Sequence, residues 1–107
     1  MGTIEHVTAN SLKEILETEK KPIILDAWAS WCGPCKSIEP YFEELNKEFG
    51  SRMRFMKINM DEESEIAPLY NISSLPTFII FKEGKPESSL IGANRAKLKA
   101  LIEETLK

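Results

Sequence analysis

A nearly continuous apolar run constrains the fold of this chain more than any other feature. Residues 22–29 read Pro-Ile-Ile-Leu-Asp-Ala-Trp-Ala and contain one charged side chain, Asp26. Such a run is typical of a strand buried on both faces, which occurs in sheets that carry helices on both sides. We therefore expect this segment to be a central strand of an α/β domain.

Helix and strand patterns alternate along the rest of the chain. Apolar and turn residues predict strands at residues 4–7, 22–29, 54–61, 77–81 and 87–91, and helices around 12–16, from 32 to 49, over 62–70 and around 98–106. Thr8 and Asn10 are candidate caps of the first helix, and Gly50 should end the second. The acidic run Asp61-Glu62-Glu63 is interpreted as the start of the third helix, and Glu83-Gly84 should form the turn of the terminal hairpin. The order β-α-β-α-β-α-β-β-α predicts a central mixed sheet of about five strands flanked by four helices, with parallel central strands and an antiparallel terminal hairpin.

Size and charge limit the possible functions. The 107 residues fit a single domain spanning residues 1–107, and we expect it to be a monomer. The net charge of −3 argues against nucleic acid or an anionic membrane as the main partner. No segment approaches the roughly 20 apolar residues of a membrane span, and the N-terminus does not resemble a signal peptide. A cytoplasmic location is therefore expected.

The two cysteines of the chain lie between the apolar strand and the second helix. Cys32 and Cys35 are separated by Gly33 and Pro34, so on a helix they share a face and can form a small disulfide ring. The helix N-terminus favours thiolate over thiol at Cys32, which supplies more nucleophile near neutral pH. Pro34 is tolerated in a first helical turn and stiffens the loop between the sulfurs.

This placement predicts thiol–disulfide exchange. The Cys32 thiolate would attack a substrate disulfide, and Cys35 would then attack the mixed disulfide and release the reduced substrate. Cys35 lies one turn inside the helix, so we expect it to be less exposed and less acidic than Cys32. It would therefore need help in losing its proton.

Asp26 is the candidate acceptor of that proton. A carboxylate within a buried strand should have a raised pKa, because burial disfavours its charged form. Lys57, on the next predicted strand, is a candidate partner of Asp26 that would limit this rise. On the residue pattern alone, a purely structural pairing of Asp26 with Lys57 is an equal alternative.

Other interpretations of the cysteine pair are a pair of inert core thiols or half of a zinc site. Zinc usually has four ligands, often from two C-x-x-C pairs, and the only other nitrogen ligand here, His6, is far away in the sequence. We therefore predict no metal site.

The segment Trp31-Cys32-Gly33-Pro34-Cys35-Lys36 resembles the active site of the thioredoxin family. The resemblance covers almost the whole chain and includes Asp26, Trp28, Ala29, Pro40, Lys57, Asp61, Pro76-Thr77, Gly84 and Gly92. It implies the thioredoxin fold and a general protein dithiol–disulfide oxidoreductase without a bound cofactor. It also implies re-reduction by thioredoxin reductase, an NADPH-linked flavoenzyme, and clients such as ribonucleotide reductase, methionine sulfoxide reductase and peroxiredoxin.

The resemblance also implies roles for residues outside the motif. Pro76 would be cis and packed beside the disulfide, and the preceding Ser74-Leu75 backbone would pair with an extended substrate peptide. An apolar substrate-binding rim would comprise Trp31, Met60, Leu75, Pro76, Ile91, Gly92 and Ala93. Gly33, Pro34 and Lys57 would tune the redox properties of the pair.

The chain departs from the family pattern at several positions. Asn71-Ile72-Ser73-Ser74-Leu75 stands where many relatives carry a glycine and an arginine, Ala27 replaces a common aromatic residue, and Ser37 replaces a common apolar one. These departures leave partner preference and reduction potential open. Two rival functions are a disulfide oxidase or isomerase, which usually has a histidine between the cysteines, and a redox-inactive binding module.

Overall fold

A five-stranded mixed sheet in the order β1-β3-β2-β4-β5 forms the centre of the computed structural model, which describes residues 4–107. The strands are β1 Glu5–Val7, β2 Ile23–Trp28, β3 Arg54–Asn59, β4 Thr77–Lys82 and β5 Lys85–Ile91. β3 is parallel to both β1 and β2, whereas β4 is antiparallel to β2 and to β5. The predicted element order, the central position of the apolar run and the mixed sheet are all confirmed.

Four helices cover the sheet. They are α1 Ala9–Thr18, α2 Gly33–Phe49, α3 Ile66–Tyr70 and α4 Arg95–Thr105. Thr8 caps α1, because its hydroxyl accepts a hydrogen bond from the Ser11 backbone N–H. The alternative prediction that Asn10 caps α1 is wrong, because Asn10 lies inside that helix. Within residues 4–107, none of the helices combines the length and the apolar composition needed to cross a membrane.

The third helix is shorter than predicted. It was expected over residues 62–70, but α3 begins only at Ile66. Before it, the backbone N–H groups of Glu62 and Glu63 both bond to the Asn59 carbonyl, which makes a turn at the end of β3. The acidic residues that suggested a helix start therefore lie in this turn.

The hairpin between β4 and β5 turns at Glu83 and Gly84, as predicted. Both residues have positive φ, 53° and 79°. A side chain at Gly84 would also meet the Leu16 carbonyl, because its Cβ would lie 2.7 Å from that oxygen. The strand that follows begins at Lys85, earlier than the predicted Glu87.

Buried side chains form one apolar layer on each face of the sheet. We call the layer under α2 and α4 the α2 face; it contains Ile4, Ile24, Ile38, Phe42, Leu45, Phe49, Met53, Phe55, Phe78, Ile80, Leu98 and Ile102. We call the layer under α1 and α3 the α1 face; it contains Val7, Leu12, Ile23, Leu25, Ala27, Met56, Ile58, Ile66, Ile79 and Phe81. Alternate residues of each central strand contribute to opposite layers, as the pleat of a strand requires.

Candidate active site

The cysteine pair lies where β2 gives way to α2. Cys32 is the N-cap residue of α2, and its sulfur accepts a hydrogen bond from the Cys35 backbone N–H at 3.2 Å. The two residues form a disulfide with a Cα–Cα distance of 5.3 Å, which lies within the usual range for this bond. The N–H groups at the start of a helix have no partner within the helix, and here one of them donates to the sulfur of Cys32.

The two cysteines are buried to the same extent. Each is 4% exposed, so the expectation that Cys35 is less exposed than Cys32 is wrong for this oxidised form. The physical reason is that the disulfide draws both sulfurs into one small cluster with Ala29, against which Trp28 and Leu75 pack. The intervening Gly33 and Pro34 are exposed.

Asp26 lies in β2 on the side of the sheet covered by α2. The pleat places its side chain on the same face as that of Ile24, which packs in the α2 face, and that of Trp28, which packs against the disulfide cluster. Only 2% of Asp26 is exposed, and among the described residues its Oδ1 has no hydrogen-bond partner. Burial raises the pKa of Asp26 to about 7, the Lys57 charge acts to lower it, and the Glu39 charge raises it.

Lys57 is the neighbour of Asp26 in the parallel β2–β3 register. Its ammonium, however, forms an ion pair with Glu39 of α2 and lies 3.8 Å from Glu43 Oε2. Asp26 and Lys57 thus form no direct ion pair in the described part of the chain, but the predicted effect is present, because the charge of Lys57 lowers the pKa of Asp26. The half-exposed Glu39 keeps its hydration while it binds Lys57, whereas an ionised Asp26 would be fully buried.

Trp31 projects from the loop before the disulfide and is 71% exposed. Its indole Nε1 donates a hydrogen bond to Asp61 Oδ1 at 2.9 Å, and Asp61 Oδ2 accepts from the backbone N–H and the hydroxyl of Ser30. The sequence interpretation treated Asp61 only as a family match within an acidic cluster and missed this contact. The signal was present, because β2 and β3 end side by side at Trp28 and Asn59.

The segments predicted to form the rim meet at the same end of the sheet. The Leu75–Pro76 peptide bond is cis, as the resemblance implies. The Gly92 N–H donates to the Pro76 carbonyl at 2.9 Å, which joins the end of β5 to the chain before β4. The Met60 N–H donates to the Trp28 carbonyl at 2.8 Å and holds Met60 beside the end of β2.

The rim residues differ in exposure. Ile91 is 59% exposed and Ala93 is exposed, whereas Met60, Leu75 and Gly92 are partly buried. Pro76 is buried. In residues 4–107, no group of three or more His, Cys, Asp or Glu side chains is placed to hold a metal ion. This end of the sheet therefore carries the disulfide together with the exposed side chains of Trp31 and Ile91.

Comparisons with known proteins agree with this geometry. The family model Thioredoxin matches residues 3–104. The thioredoxin of Acidithiobacillus ferridurans is 39% identical over 104 residues, which are 96% of each chain. The chloroplastic M-type thioredoxin of Spinacia oleracea is 43% identical over 90 residues, which are 84% of this chain and 50% of that longer protein.

A solved structure gives the same result in three dimensions. The thioredoxin of Malassezia sympodialis superposes with a TM-score of 0.91 and 34% identity, covering 100% of this chain and 94% of that one. The family match, the fold and a redox-active cysteine pair at the start of α2 agree with one another. The chain is a member of the thioredoxin family and a dithiol–disulfide oxidoreductase, of the kind that thioredoxin reductase recycles.

Proposed function

We propose that this oxidoreductase works in the reducing direction, with Cys32 as the nucleophile and Cys35 as the resolving thiol. The observation that carries the assignment of Cys32 as the nucleophile is the hydrogen bond from the Cys35 N–H to Cys32 Sγ at the N-terminus of α2. A donor aimed at this sulfur, together with the partial positive charge of the helix end, favours negative charge on Cys32. A stabilised thiolate makes Cys32 the attacking group. The reducing direction itself is proposed on the strength of membership of the thioredoxin family.

The reaction then proceeds in two exchanges. The Cys32 thiolate attacks one sulfur of a substrate disulfide, a Cys32–substrate disulfide forms, and the other substrate sulfur leaves as a thiolate that takes a proton from water. Cys35 passes its proton to Asp26 and attacks Cys32 Sγ, which releases the second substrate thiolate. Two electrons move from the protein to the substrate, and the Cys32–Cys35 disulfide of the structure results.

Asp26 is suited to the proton transfer because of its burial. A carboxyl with a pKa of about 7 is present in both protonation states near neutral pH. It can therefore accept the proton of Cys35 when a substrate is reduced and return it when the disulfide is reopened. Gly33, Pro34 and Lys57 are proposed to tune this chemistry, the first two through the loop between the sulfurs and Lys57 through its charge.

Substrate proteins are proposed to bind along the rim as extended segments. The Ser74-Leu75 backbone offers main-chain hydrogen bonds, and an apolar surface surrounds the sulfurs. That surface consists of Trp31, Met60, Leu75, Pro76, Ile91, Gly92 and Ala93. The high exposure of Trp31 and Ile91, unusual for large apolar side chains, supports this assignment.

The finer assignments belong to the same proposal. The clients are proposed to be ribonucleotide reductase, methionine sulfoxide reductase and peroxiredoxin, and the reductase to be NADPH-linked, on the strength of family membership. A cytoplasmic monomer made of a single domain over residues 1–107 is likewise proposed; its one sheet with a core on each face supports the single domain. Because some relatives are chloroplastic, the proposed compartment is tested by localising the tagged protein in its own cells.

The reduction potential of the Cys32–Cys35 couple tests the direction of the reaction. Equilibration against glutathione at pH 7 should give a reduction potential of about −270 mV, which is typical of a reductant. A value above roughly −180 mV would make the protein an oxidase or isomerase of disulfides and overturn the proposal. Cys35→Ser is the matched variant, since it should accumulate a Cys32–substrate disulfide, whereas Cys32→Ser should accumulate none.

The redox-inactive binding module is excluded or supported by a separate variant. Replacing both cysteines with serine should abolish reduction of insulin disulfides and leave the cells with the phenotype of a complete deletion. If that variant restores the function of the deleted protein in cells, the protein acts by binding and the proposed electron transfer is not its role.

A further inference from the structure

We propose that Glu39 is a positioning residue for the proton transfer at Asp26, because its carboxylate binds the Lys57 ammonium and keeps it from pairing with Asp26. The inference deepens the proposed function and rests on Asp26 being the group that exchanges a proton with Cys35. Glu39 itself does not touch the reacting sulfurs in this assignment.

The position of Glu39 on α2 makes this role possible. Glu39 follows Cys35 by four residues, so the two side chains lie on the same side of the helix, one turn apart. The side chain of Lys57 is only 4% exposed, whereas that of Glu39 is 49% exposed. The ion pair between them therefore joins the buried end of a β3 lysine to the solvent boundary of α2.

Besides the two glutamates of α2, Asp26 is a further possible anionic partner of Lys57. The two residues are directly opposite each other in the β2–β3 register, and within residues 4–107 Asp26 Oδ1 has no hydrogen-bond partner. On its other side Asp26 is opposite Phe78 of β4, which carries no charge. Burial is the main cause of the raised pKa of Asp26, and the charges of Lys57 and Glu39 modulate it, so the contact between these two side chains affects how readily Asp26 ionises.

Glu39 acts on Asp26 in two ways that have the same sign. Its negative charge disfavours a second negative charge on Asp26, which raises the pKa of Asp26. It also occupies the Lys57 ammonium, which would otherwise stabilise the ionised Asp26 by direct contact. Both effects keep Asp26 protonated up to higher pH and make its carboxylate a stronger base.

The consequence is measurable in the reductive half-reaction. A thiolate of dithiothreitol attacks Cys32 Sγ, the Cys32–Cys35 bond breaks, and the departing Cys35 thiolate takes the proton of the Asp26 carboxyl. The second thiol of the same dithiothreitol molecule loses its proton to water and attacks the dithiothreitol sulfur of the mixed disulfide. Cys32 is released as a thiolate, and dithiothreitol leaves as its oxidised cyclic disulfide. The first step should slow as pH rises through the titration of Asp26, because the acid is lost.

The test compares the wild type with Glu39→Gln and with the matched control Glu43→Gln. Glu43 also lies on α2 and is equally half-exposed, but its carboxylate is 3.8 Å from Lys57 Nζ and does not form the close pair. Two measurements are made on each oxidised protein: the Asp26 carboxyl titration by carbon-13 NMR, and the stopped-flow rate of reduction by dithiothreitol, corrected for the thiolate fraction of the reagent.

In Glu39→Gln, both the Asp26 titration and the fall in rate should move to lower pH by about one pH unit. Glu43→Gln should move them by clearly less, and Glu39→Asp, which keeps the charge, should restore much of the wild-type midpoint. Equal midpoints in wild type and Glu39→Gln would overturn the inference.

Asp26→Asn separates this result from a failure of the proposed function. That variant should lose the fall in rate around neutral pH altogether. If the fall persists in Asp26→Asn, Asp26 is not the proton donor and both proposals lose their basis. If it disappears there while Glu39→Gln titrates like the wild type, only the role of Glu39 is wrong.

Discussion

The two faces of the central sheet come from the same strands and differ in their charge. On the α1 face, β2 and β3 contribute Leu25, Ala27, Met56 and Ile58, which are all apolar and fully buried. On the other face, the same strands contribute Ile24 and Phe55 to the apolar layer but also bury Asp26 and Lys57 side by side. These two ionisable residues lie toward the end of the sheet that carries the disulfide.

This difference separates groups whose burial stabilises the fold from groups whose burial costs free energy. Burying an aliphatic side chain contributes about 1.5–3 kcal/mol of stability, whereas burying a carboxyl and an ammonium costs free energy unless both are paired. Within residues 4–107, Asp26 Oδ1 has no hydrogen-bond partner, so the cost of burying this carboxyl is only partly offset. The α2 face therefore carries a destabilising group, which is consistent with the proton-transfer role proposed for Asp26.

The largest expected effect comes from removing the acidic group of the α2 face. Asp26→Asn should raise the free energy of unfolding at pH 8 and above by up to about 4 kcal/mol. This figure follows from a pKa of about 7 against an ordinary 3.8, at about 1.4 kcal/mol per pKa unit. The measurement is urea unfolding of the oxidised proteins across the pH range.

The sign of the pH dependence is fixed by the direction of that shift. The folded state holds the proton of Asp26 between about pH 4 and 7 while the unfolded state has lost it, so wild-type stability falls as pH rises through this window. Below about pH 4 both states are protonated, and the advantage of Asp26→Asn should vanish. A stability difference that is constant from pH 4 to 8 would contradict the raised pKa.

The neighbouring residue on the opposite face should behave in the reverse manner. Leu25 is fully buried on the α1 face, and Leu25→Ala should lower the free energy of unfolding by about 3 kcal/mol, since it removes apolar contacts and leaves a cavity. The loss should be the same at every pH, because no charged group is involved. A loss that varies with pH as strongly as the Asp26→Asn gain would show that the two faces are not electrostatically distinct.

The sequence was sufficient to predict the architecture and the position of the sulfurs, because both depend on local patterns. The apolar run around Leu25 and the helical stripe ending at Gly50 gave β2, α2 and the cysteine pair between them. The pairing of Lys57 was not predictable in the same way. Its ion pair with Glu39 joins residues 18 positions apart and depends on how α2 lies over β3.

The acidic stretch after β3 shows a second kind of limit. Carboxylates before an apolar segment are typical of a helix start, yet two of these residues serve tertiary contacts. Asp61 accepts the Trp31 indole N–H, and Glu63 Oε1 accepts the backbone N–H of Ala9 at 2.9 Å. A capping pattern in the sequence identifies side chains that can accept hydrogen bonds, but the donors that lie close to them depend on the tertiary fold.

Replacing Lys57, the buried basic residue beside Asp26, should have a smaller and purely electrostatic effect on Asp26. Lys57→Met keeps the length and burial of the side chain and removes the charge that lowers the pKa of Asp26. The Asp26 titration, followed by carbon-13 NMR, should therefore move to higher pH by about one pH unit. Identical Asp26 titrations in the wild type and Lys57→Met would show that the two side chains are electrostatically independent in spite of their adjacent register.

The smallest expected effect lies at the surface, where the charged face ends beside the rim. Asp61→Asn keeps an acceptor for the Trp31 indole but removes the charge, and an exposed hydrogen bond to a carboxylate contributes only about 1 kcal/mol or less. The free energy of unfolding should therefore change little. The KM for a protein disulfide should rise about two- to threefold while kcat stays unchanged, because Trp31 loses part of its anchoring on the substrate side and the sulfur chemistry is untouched.

Asp61→Ala, which removes the acceptor, should raise KM further. A lower kcat with unchanged KM would instead place Asp61 in the proton-transfer chemistry, and the separation between the buried charged pair and the substrate-binding rim would then be wrong.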